Sequence, residues 1–291
     1  MKLIFLDIDG TLVPAGTNVP PDSALAAIRG AQAAGNRVFL CTGRNYAMLK
    51  PLLVYGFDGM VASAGGYVMA GDEVLYDQPM PAEDYQETVS LLHKNGVFCT
   101  VETKNTTYGD ENLSDFLSTA KGDNSEIERW RRALKDQLDI RPLSQYQQEP
   151  VYKVVIMCQN MEQLKEPMAK LSDRYEFVVQ EVAAHGGCIN GELISRAFDK
   201  GRGVQRMMEH FHVTKEDTYG FGDSMNDLAM VKAVGTSVCM ANGAKTLMQQ
   251  CTLTVPSVDE DGLAFGFKQL GLLKLFKEKG ILYGIGLSQV C

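Results

Sequence analysis

Two short acidic motifs contain the residues best suited to chemistry. Asp7 and Asp9 lie in DIDGTL, and Asp223 and Asp227 lie in GDSMND, each directly after an apolar run that reads as a strand. Carboxylates held close together repel one another unless a cation lies between them or one is protonated. Mg²⁺ suits such a set because it is a hard ion that binds carboxylates together with a substrate phosphate. The motifs therefore predict a site for Mg²⁺ and a phosphate.

Each acidic motif also has a plain structural interpretation. Asp7 and Asp9 point the same way only while the chain stays extended, and Gly10 then permits a sharp turn. Asp-Gly is also a common turn signal. Acids in the first turn of a helix are favoured by the helix dipole, which would account for Asp223 and Asp227. Neither motif alone distinguishes a cation site from an ordinary turn or helix start.

Two further motifs could bind a phosphate. Thr42-Gly43-Arg44 follows the second predicted strand and offers a hydroxyl, a flexible backbone N–H and a guanidinium. Lys200, in FDKGRG, is a cation just ahead of a predicted helix. Taken alone, the first is a helix cap and the second a solvated lysine. All four motifs nevertheless fall at strand ends of one predicted sheet, where an open α/β sheet binds its ligands.

The elements that position these motifs alternate between strand and helix. The first part of the chain predicts strands at Lys2–Ile8, Arg37–Cys41 and Gly59–Ser63, with helices at Asp22–Ala34 and Asn45–Val54. This βαβαβ order predicts a doubly wound, mostly parallel sheet with helices on both faces.

After Ser63 the pattern changes to a hairpin, Tyr67–Met69 with Val74–Tyr76, and then to an inserted α+β unit. We expect this unit to be a mostly antiparallel sheet with helices on one side. Its predicted helices are Glu83–Lys94, two polar stretches between Leu113 and Leu138, and Met161–Ser172; its predicted strands are Val97–Glu102, Val151–Cys158, Phe177–Glu181 and Glu192–Ser195. Pro167 inside the helix Met161–Ser172 predicts either a kink or a different boundary.

From Asp199 the alternation resumes. The predicted helices are Gly203–His210, Met225–Ala233, Ala244–Gln249 and terminal helices, and the predicted strands are Thr218–Phe221, Ser237–Met240 and Thr252–Val255. One core of residues 1–82 and 194–291, interrupted by a domain of residues 83–193, explains this order more simply than three domains do.

Composition restricts the function classes. The chain has 291 residues, of which 45% are hydrophobic and 22% charged, as in globular proteins rather than disordered or collagen-like ones. Its net charge of −8 argues against binding to duplex nucleic acid. No apolar run is long enough to span a membrane, and the start, MKLIFLDIDG, meets acids too early for a signal peptide. We therefore expect a soluble cytoplasmic protein without nucleic-acid or membrane partners.

Cysteine and histidine residues give weaker signals. The seven cysteines are odd in number and lack C-x-x-C spacing, so we interpret them as buried thiols rather than as a disulfide framework or a zinc site. They are residues 41, 99, 158, 188, 239, 251 and 291. His210 and His212 resemble a metal pair, but their spacing puts the two rings on different faces of a helix.

The four motifs together resemble those of a known family. DIDGT, T-G-R, Lys-Gly and GDxxND, in this order, are similar to the motifs of the haloacid dehalogenase (HAD) superfamily of phosphohydrolases. The insertion at 83–193, with GDSMNDLAM and CMANGAK, resembles the Cof-type sugar-phosphatase branch, which has a Rossmann-like core and a type-2 cap. The chain departs from this pattern at Ala64-Gly65, where relatives often have Asn-Gly.

The resemblance implies roles for the acidic residues. Asp7 would be the nucleophile, attacking phosphorus to give an aspartyl-phosphate. Asp9 would be the acid/base, which protonates the leaving group and then activates water. Mg²⁺ would be bound by Asp7, the backbone carbonyl of Asp9, and Asp223, and Asp227 would hold that arrangement in place.

It also implies how substrate is bound. Thr42, Gly43, Lys200 and Asn226 would bind the phosphoryl oxygens, and Arg44 is a candidate substrate contact. The cap would read the leaving group, for which Lys104–Tyr108 and His185–Gly187 are candidate loops. We expect Mg²⁺-dependent hydrolysis of a small phosphorylated metabolite, a sugar phosphate in particular.

Three other activities compete with this expectation. A phosphomutase or phosphotransferase would use the same motifs. A dehalogenase fits less well because the acids suit phosphate rather than carbon–halogen chemistry. A sugar-phosphate sensor without catalytic activity would need neither Asp7 nor Asp9.

Overall fold

Two β-sheets organise the chain in a computed structural model that describes residues 1–119, 140–180 and 188–274. The strands of the core sheet are β1 (Leu3–Leu6), β2 (Arg37–Cys41), β3 (Gly59–Ala62), β4 (Tyr67–Ala70), β5 (Glu73–Asp77), β12 (Thr218–Gly222), β13 (Thr236–Met240) and β14 (Leu253–Val255). The strands of the second sheet, the cap sheet, are β6 (Phe98–Thr103), β7 (Thr107–Gly109), β8 (Ile140–Pro142), β9 (Val151–Cys158), β10 (Tyr175–Gln180) and β11 (Ile189–Ser195).

Helices connect and cover these strands. In the described residues they are α1 (Asp22–Ala33), α2 (Tyr46–Leu53), α3 (Ala82–Lys94), α4 (Leu113–Thr119), α5 (Lys165–Leu171), α6 (Lys200–Phe211), α7 (Leu228–Ala233), α8 (Lys245–Met248) and α9 (Gly262–Gln269). None of the helices in the described part of the chain has the length and apolar character needed to cross a membrane.

The core sheet has the order β14-β13-β12-β1-β2-β3-β4-β5. Its pairs are parallel from β14 to β3 and antiparallel from β3 to β5. β1 is fully buried because its two faces are covered by different helices: Ile4 packs with α1, α2 and α9, and Phe5 packs with α6, α7 and α8. This confirms the doubly wound α/β class.

The cap sheet has the order β10-β11-β9-β6-β7-β8, and its pairs are antiparallel except for β7 with β8. Helices α3 and α5 pack on one face, against Ile156 and Val101. Helix α4 packs on the other face, where Leu117 contacts the cluster containing Val155 and Met157. The expectation that helices cover only one side is therefore wrong, because β9 is apolar on both faces and needs a cover on each.

Pro167 is accommodated by a change of helix boundary. A short 3₁₀ turn, Met161–Leu164, precedes α5, so Pro167 is the third residue of the helix Lys165–Leu171. The first N–H groups of a helix lack partners within it, so proline costs little there.

Other element boundaries shift by a few residues. α6 begins at Lys200 rather than Gly203, and a 3₁₀ turn at Met225–Asp227 precedes α7. β7 and β8 were not expected. The predicted second polar helix up to Leu138, the end of the strand Phe177–Glu181, the loop His185–Gly187 and the last terminal residues lie outside the described residues.

Candidate active site

The carboxyl ends of β1, β2 and β12 meet at one edge of the core sheet. β1 pairs in parallel with β2 on one side and with β12 on the other. Asp7 follows β1, Thr42 follows β2 and Asp223 follows β12. The backbone N–H of Asp7 donates to the carbonyl of Phe221 at 2.9 Å, which extends the ladder beyond β1. Motifs far apart in sequence are thereby brought side by side.

Lys200 joins the acidic motifs in a buried polar cluster. It is the first residue of α6, whose N-terminus is capped by the Asp199 side chain. The Lys200 side chain is buried, and its ammonium donates to Asp7 Oδ1 at 2.8 Å, to Asp227 Oδ1 at 2.6 Å and to Asn226 Oδ1 at 3.2 Å. Lys200, whose motif taken by itself would indicate a solvated lysine, is therefore held by both acidic motifs, as expected for a site residue.

Asp227 shapes the loop that carries Asp223. It is fully buried, and its Oδ2 accepts the backbone N–H groups of Asp223 at 3.0 Å and Ser224 at 3.2 Å. Gly222 leaves room for it, because a Cβ there would lie 2.6 Å from Asp227 Oδ2. Asp227 thus acts on the site through the backbone and through Lys200.

Negative charge exceeds positive charge in this cluster. Asp7, Asp223 and Asp227 each present a carboxylate oxygen within 4.8 Å of the others, around the single ammonium of Lys200. Burial, and then Asp227, raises the pKa of Asp7 well above its ordinary value. The same two causes raise the pKa of Asp223 to about 7. Burial opposes charge on Lys200, but Asp227 and Asp7 hold its pKa well above the ordinary value.

The cluster has the composition of a divalent-cation site. Its donors are hard carboxylate oxygens, and a cation among them would offset the repulsion that, together with burial, raises the pKa values of Asp7 and Asp223. The turn after β1 lies tightly against it: a Cβ at Gly10, whose φ is 84°, would lie 2.6 Å from Asp223 Oδ2. Thr11 Oγ1 donates to Asp223 Oδ1 at 3.4 Å. Asp7, Asp223 and Asp227 could therefore hold a divalent cation.

Asp9 lies beside this cluster but makes a separate ion pair. Its charge contributes to the raised pKa of Asp223. Its carboxylate, however, accepts two hydrogen bonds from the guanidinium of Arg44, at 2.9 and 2.6 Å. Arg44 also donates to Asn18 Oδ1 at 2.6 Å and to the carbonyl of Thr17 at 3.3 Å. This pair was not expected from the sequence, and a direct contact of Arg44 with substrate stays a prediction.

The Thr42-Gly43-Arg44 motif follows β2 and lies at the same edge of the core sheet. Thr42 is buried, its Oγ1 accepts the backbone N–H of Arg44 at 3.1 Å, and its carbonyl accepts the N–H of Ala64 at 2.9 Å. Ala64 has a φ of 56°, in the left-handed region where asparagine is better tolerated than alanine. The departure from Asn-Gly thus falls on a strained residue next to the site.

Lys153 is a candidate site residue that the sequence analysis missed. It lies on β9 of the cap sheet, is buried, and its ammonium donates to the carbonyl of Gly43 at 3.0 Å. Glu192 Oε1 accepts from the same ammonium at 2.7 Å, and Glu102 Oε1 lies 3.4 Å from it. The available signal was a lysine inside the apolar run VYKVVIMC, since a buried charge requires partners.

Part of the predicted cap loop Lys104–Tyr108 contacts the core. The amide of Asn45 donates to the carbonyl of Thr103 at 2.9 Å, and Ala47 N–H donates to the carbonyl of Lys104 at 3.0 Å. The Lys104 ammonium donates to the Tyr67 hydroxyl at 2.9 Å. These bonds and Lys153 hold the cap sheet against the loop at Gly43.

Comparisons with known proteins agree with this architecture. The model of the family described as haloacid dehalogenase-like hydrolase matches residues 4–267. The chain is 28% identical to YkrA of Bacillus subtilis, over 94% of this chain and 99% of that protein. It is 26% identical to the 5-amino-6-(5-phospho-D-ribitylamino)uracil phosphatase YwtE of the same organism, over 93% of this chain and 98% of YwtE.

One solved structure illustrates the shared fold. The HAD subclass IIB sugar phosphatase BT4131 matches with a TM-score of 0.75 at 22% identity, over 94% of this chain and 100% of that chain. At this identity the match establishes the fold alone, and nothing about the substrate of this chain.

Proposed function

The chain belongs to the haloacid dehalogenase-like hydrolase family, and from this premise we propose that it is a Mg²⁺-dependent phosphatase of small phosphorylated metabolites. The observation that carries the proposal is the buried cluster in which Lys200 bridges Asp7 and Asp227 beside Asp223. Phosphoryl transfer needs a nucleophile and positive charge around the phosphoryl group. Asp7 can supply the first, and Lys200 together with a divalent ion among the carboxylates can supply the second.

Asp7 is proposed as the nucleophile. It lies at the carboxyl end of the central strand, and Lys200 fixes its Oδ1 at 2.8 Å. In the first step a carboxylate oxygen of Asp7 bonds to phosphorus while the bond from phosphorus to the leaving oxygen breaks, giving an aspartyl-phosphate. In the second step water attacks that phosphorus, phosphate is released and the carboxylate is restored.

Asp9 is proposed as the acid/base. It would donate a proton to the leaving alkoxide in the first step and take one from the attacking water in the second. Its position two residues after Asp7, at the turn of Gly10, supports this role, and Arg44 holds its carboxylate in a defined direction.

Asp7 and Asp223, together with the backbone carbonyl of Asp9 that the family resemblance adds, would bind Mg²⁺, and Asp227 would support them through the loop backbone. The bound ion would neutralise charge on the transferring phosphoryl group. Lys200, Asn226, the Thr42 hydroxyl and the Gly43 backbone N–H would bind the phosphoryl oxygens and fix the phosphorus in line with Asp7.

Residues 83–193 are proposed as the specificity domain, with residues 1–82 and 194–291 as the catalytic core. Lys153 supports this division because it brings a cap charge to the loop at Gly43. A sugar phosphate is the proposed substrate class, since charged and hydrogen-bonding groups line this junction.

The test is release of inorganic phosphate from a panel of sugar phosphates, nucleotides and phosphorylated cofactor precursors, with Mg²⁺ and with EDTA. We expect turnover of at least one sugar phosphate, loss of activity in EDTA and recovery with added Mg²⁺. Asp7→Asn should give neither turnover nor a covalent phosphoenzyme. Full activity in a metal-free preparation would contradict the magnesium requirement, and turnover by Asp7→Asn would contradict the covalent route.

A further inference from the structure

A second cluster of metal-binding side chains lies in the cap, away from the proposed catalytic residues. His93 is in the last turn of α3, Cys99 is the second residue of β6, and Asp110 directly follows β7. Cys99 packs on the α3 face of the cap sheet. Lys153 instead reaches the core loop at Gly43, and the next residue of β9, Val154, packs in the same cluster as Cys99. Because side chains alternate along a strand, the cluster of His93, Cys99 and Asp110 lies on the face of the cap sheet opposite to Lys153.

The three side chains converge closely. His93 Nε2 lies 2.9 Å from Asp110 Oδ1 and 3.7 Å from Cys99 Sγ. The second carboxylate oxygen of Asp110 accepts the backbone N–H of Cys99 at 2.8 Å, which fixes the orientation of the carboxylate. One ligand atom from each residue lies within 4.8 Å of the other two.

His93 Nε2 cannot donate to Asp110 and accept the Cys99 thiol proton at the same time. A single ring nitrogen, His93 Nε2, faces both the Asp110 carboxylate and the Cys99 thiol. If that nitrogen carries a proton for Asp110, it has no lone pair to accept the thiol proton. If it accepts from the thiol, it has no proton for Asp110. A cation in place of the two protons would bind all three groups at once.

We propose that His93, Cys99 and Asp110 form a zinc site. Imidazole, thiolate and carboxylate are ligands that Zn²⁺ takes, with bonds of about 2.0 to 2.3 Å. Tetrahedral bonds of that length separate the ligand atoms by roughly 3.3 to 3.6 Å. The two distances from His93 Nε2, 2.9 Å to Asp110 and 3.7 Å to Cys99, lie within about 0.1 to 0.4 Å of these values, and the Cys99 and Asp110 ligand atoms lie within 4.8 Å of each other.

Charge and access agree with this assignment. The Cys99 thiolate and the Asp110 carboxylate would balance the two charges of the ion, so burying it leaves no net charge. Cys99 is buried, whereas the His93 side chain is 44% exposed, so the ion has a path from solvent and a water can fill the fourth position. Zn²⁺ would tie the end of α3 to β6 and to the loop after β7.

The cysteine spacing gave no sign of this site. The absence of C-x-x-C led to the expectation of a plain buried thiol at Cys99. The three ligands come instead from a helix end, a strand and a loop, and only one of them is a cysteine.

The experiment uses the full chain in excess Mg²⁺, which is added to compete with Zn²⁺ for the acidic cluster of Asp7, Asp223 and Asp227. Zn²⁺ content is measured by equilibrium dialysis, and Co²⁺ is added as a spectroscopic probe of thiolate coordination. We expect one Zn²⁺ per chain that Mg²⁺ does not displace, and a thiolate-to-cobalt charge-transfer band. Cys99→Ser should remove the band, and His93→Gln should weaken Zn²⁺ binding by more than about 100-fold, since losing even an outer-shell partner costs 10- to 100-fold.

Cys251→Ser is the control, because Cys251 is another free cysteine but lies in the core, away from His93 and Asp110. It should keep both the band and the bound Zn²⁺. His93→Gln changes a half-exposed side chain and should fold, so it decides the matter if Cys99→Ser does not fold. Failure of the wild-type chain to bind Zn²⁺, or binding unchanged in His93→Gln, would overturn the proposal. Neither result bears on the proposed phosphatase activity.

Discussion

The guanidinium of Arg44 donates two hydrogen bonds to the carboxylate of Asp9, from Nε to Oδ2 at 2.9 Å and from Nη2 to Oδ1 at 2.6 Å. Both side chains are largely buried, with 10% and 21% of their surface exposed. A two-point ion pair fixes direction as well as distance. Arg44 is therefore a positioning residue for the proposed acid/base.

Arg44→Gln should lower kcat by about 10- to 100-fold while changing KM less, because Asp9 would no longer be held towards the leaving group. The loss should be smaller with p-nitrophenyl phosphate, whose leaving group needs no proton, than with an alkyl phosphate. Arg37→Gln removes an ion pair with Asp58 in which the arginine is exposed, and it should leave kcat unchanged on both substrates. Equal losses on the two substrates would show that Arg44 does not act through Asp9.

Asp227→Ala should destabilise the fold much more than Asp223→Ala. Asp227 is fully buried and accepts hydrogen bonds from Lys200 and from two backbone N–H groups. Breaking a buried pair of this kind costs about 3 to 5 kcal/mol. Asp223 lies among like charges, so its removal should cost less than about 1 kcal/mol. Guanidinium chloride unfolding in EDTA measures both, and equal costs would contradict the structural role of Asp227.

Lys153→Met should reorder substrates, whereas Thr42→Val should depress all of them alike. Lys153 belongs to the cap, and Thr42 belongs to the loop that would bind the phosphoryl group common to every substrate. A lost hydrogen bond or ion pair to a leaving group changes kcat/KM by about 10-fold or more for the substrates that use it.

The control for Lys153→Met is Lys165→Met, whose charge is exposed. It should preserve kcat/KM for each substrate and the order in which the substrates are preferred. Because Lys153→Met also leaves Glu192 and Glu102 without this partner, its thermal stability must be measured alongside. If Thr42→Val changed the ranking and Lys153→Met did not, the division between core and cap would be wrong.

Ala64→Asn should stabilise the chain by an amount on the order of 0.5 to 1 kcal/mol, because asparagine tolerates the left-handed conformation that Ala64 adopts. Ala64→Val should do the reverse, since a β-branched side chain fits poorly at positive φ. Thermal unfolding of the two variants measures the difference. A destabilised Ala64→Asn would mean that the buried space around residue 64 outweighs its backbone conformation.

Sequence reasoning succeeded where local pattern and strand order decide the outcome. Apolar runs gave β1, β2 and β12, and parallel pairing then required Asp7, Thr42 and Asp223 to share an edge. The helix that contains Pro167 begins at a different residue than expected, but it lies in the cap, so this arrangement does not depend on it.

Contacts between distant side chains could not be obtained this way. The Arg44 guanidinium donates to Asp9 and also to Asn18 and the carbonyl of Thr17, so this contact depends on how the loop after β1 folds. Lys153 meets Gly43 only once the cap sheet has docked on the core. Such contacts depend on the relative placement of whole elements, about which the spacing of residues along the chain says nothing.

The position of β1 between β2 and β12 has a consequence for synthesis on the ribosome. Leu3 pairs with Arg37 on one side, which emerges soon after it, but with Thr218 on the other, which is made only after the entire cap. Throughout that interval the most apolar strand of the core has an open hydrogen-bonding edge, the kind of edge that captures strands of other chains. The inserted cap therefore delays completion of the core sheet, and residues 3–6 keep an unpaired edge until β12 has been made.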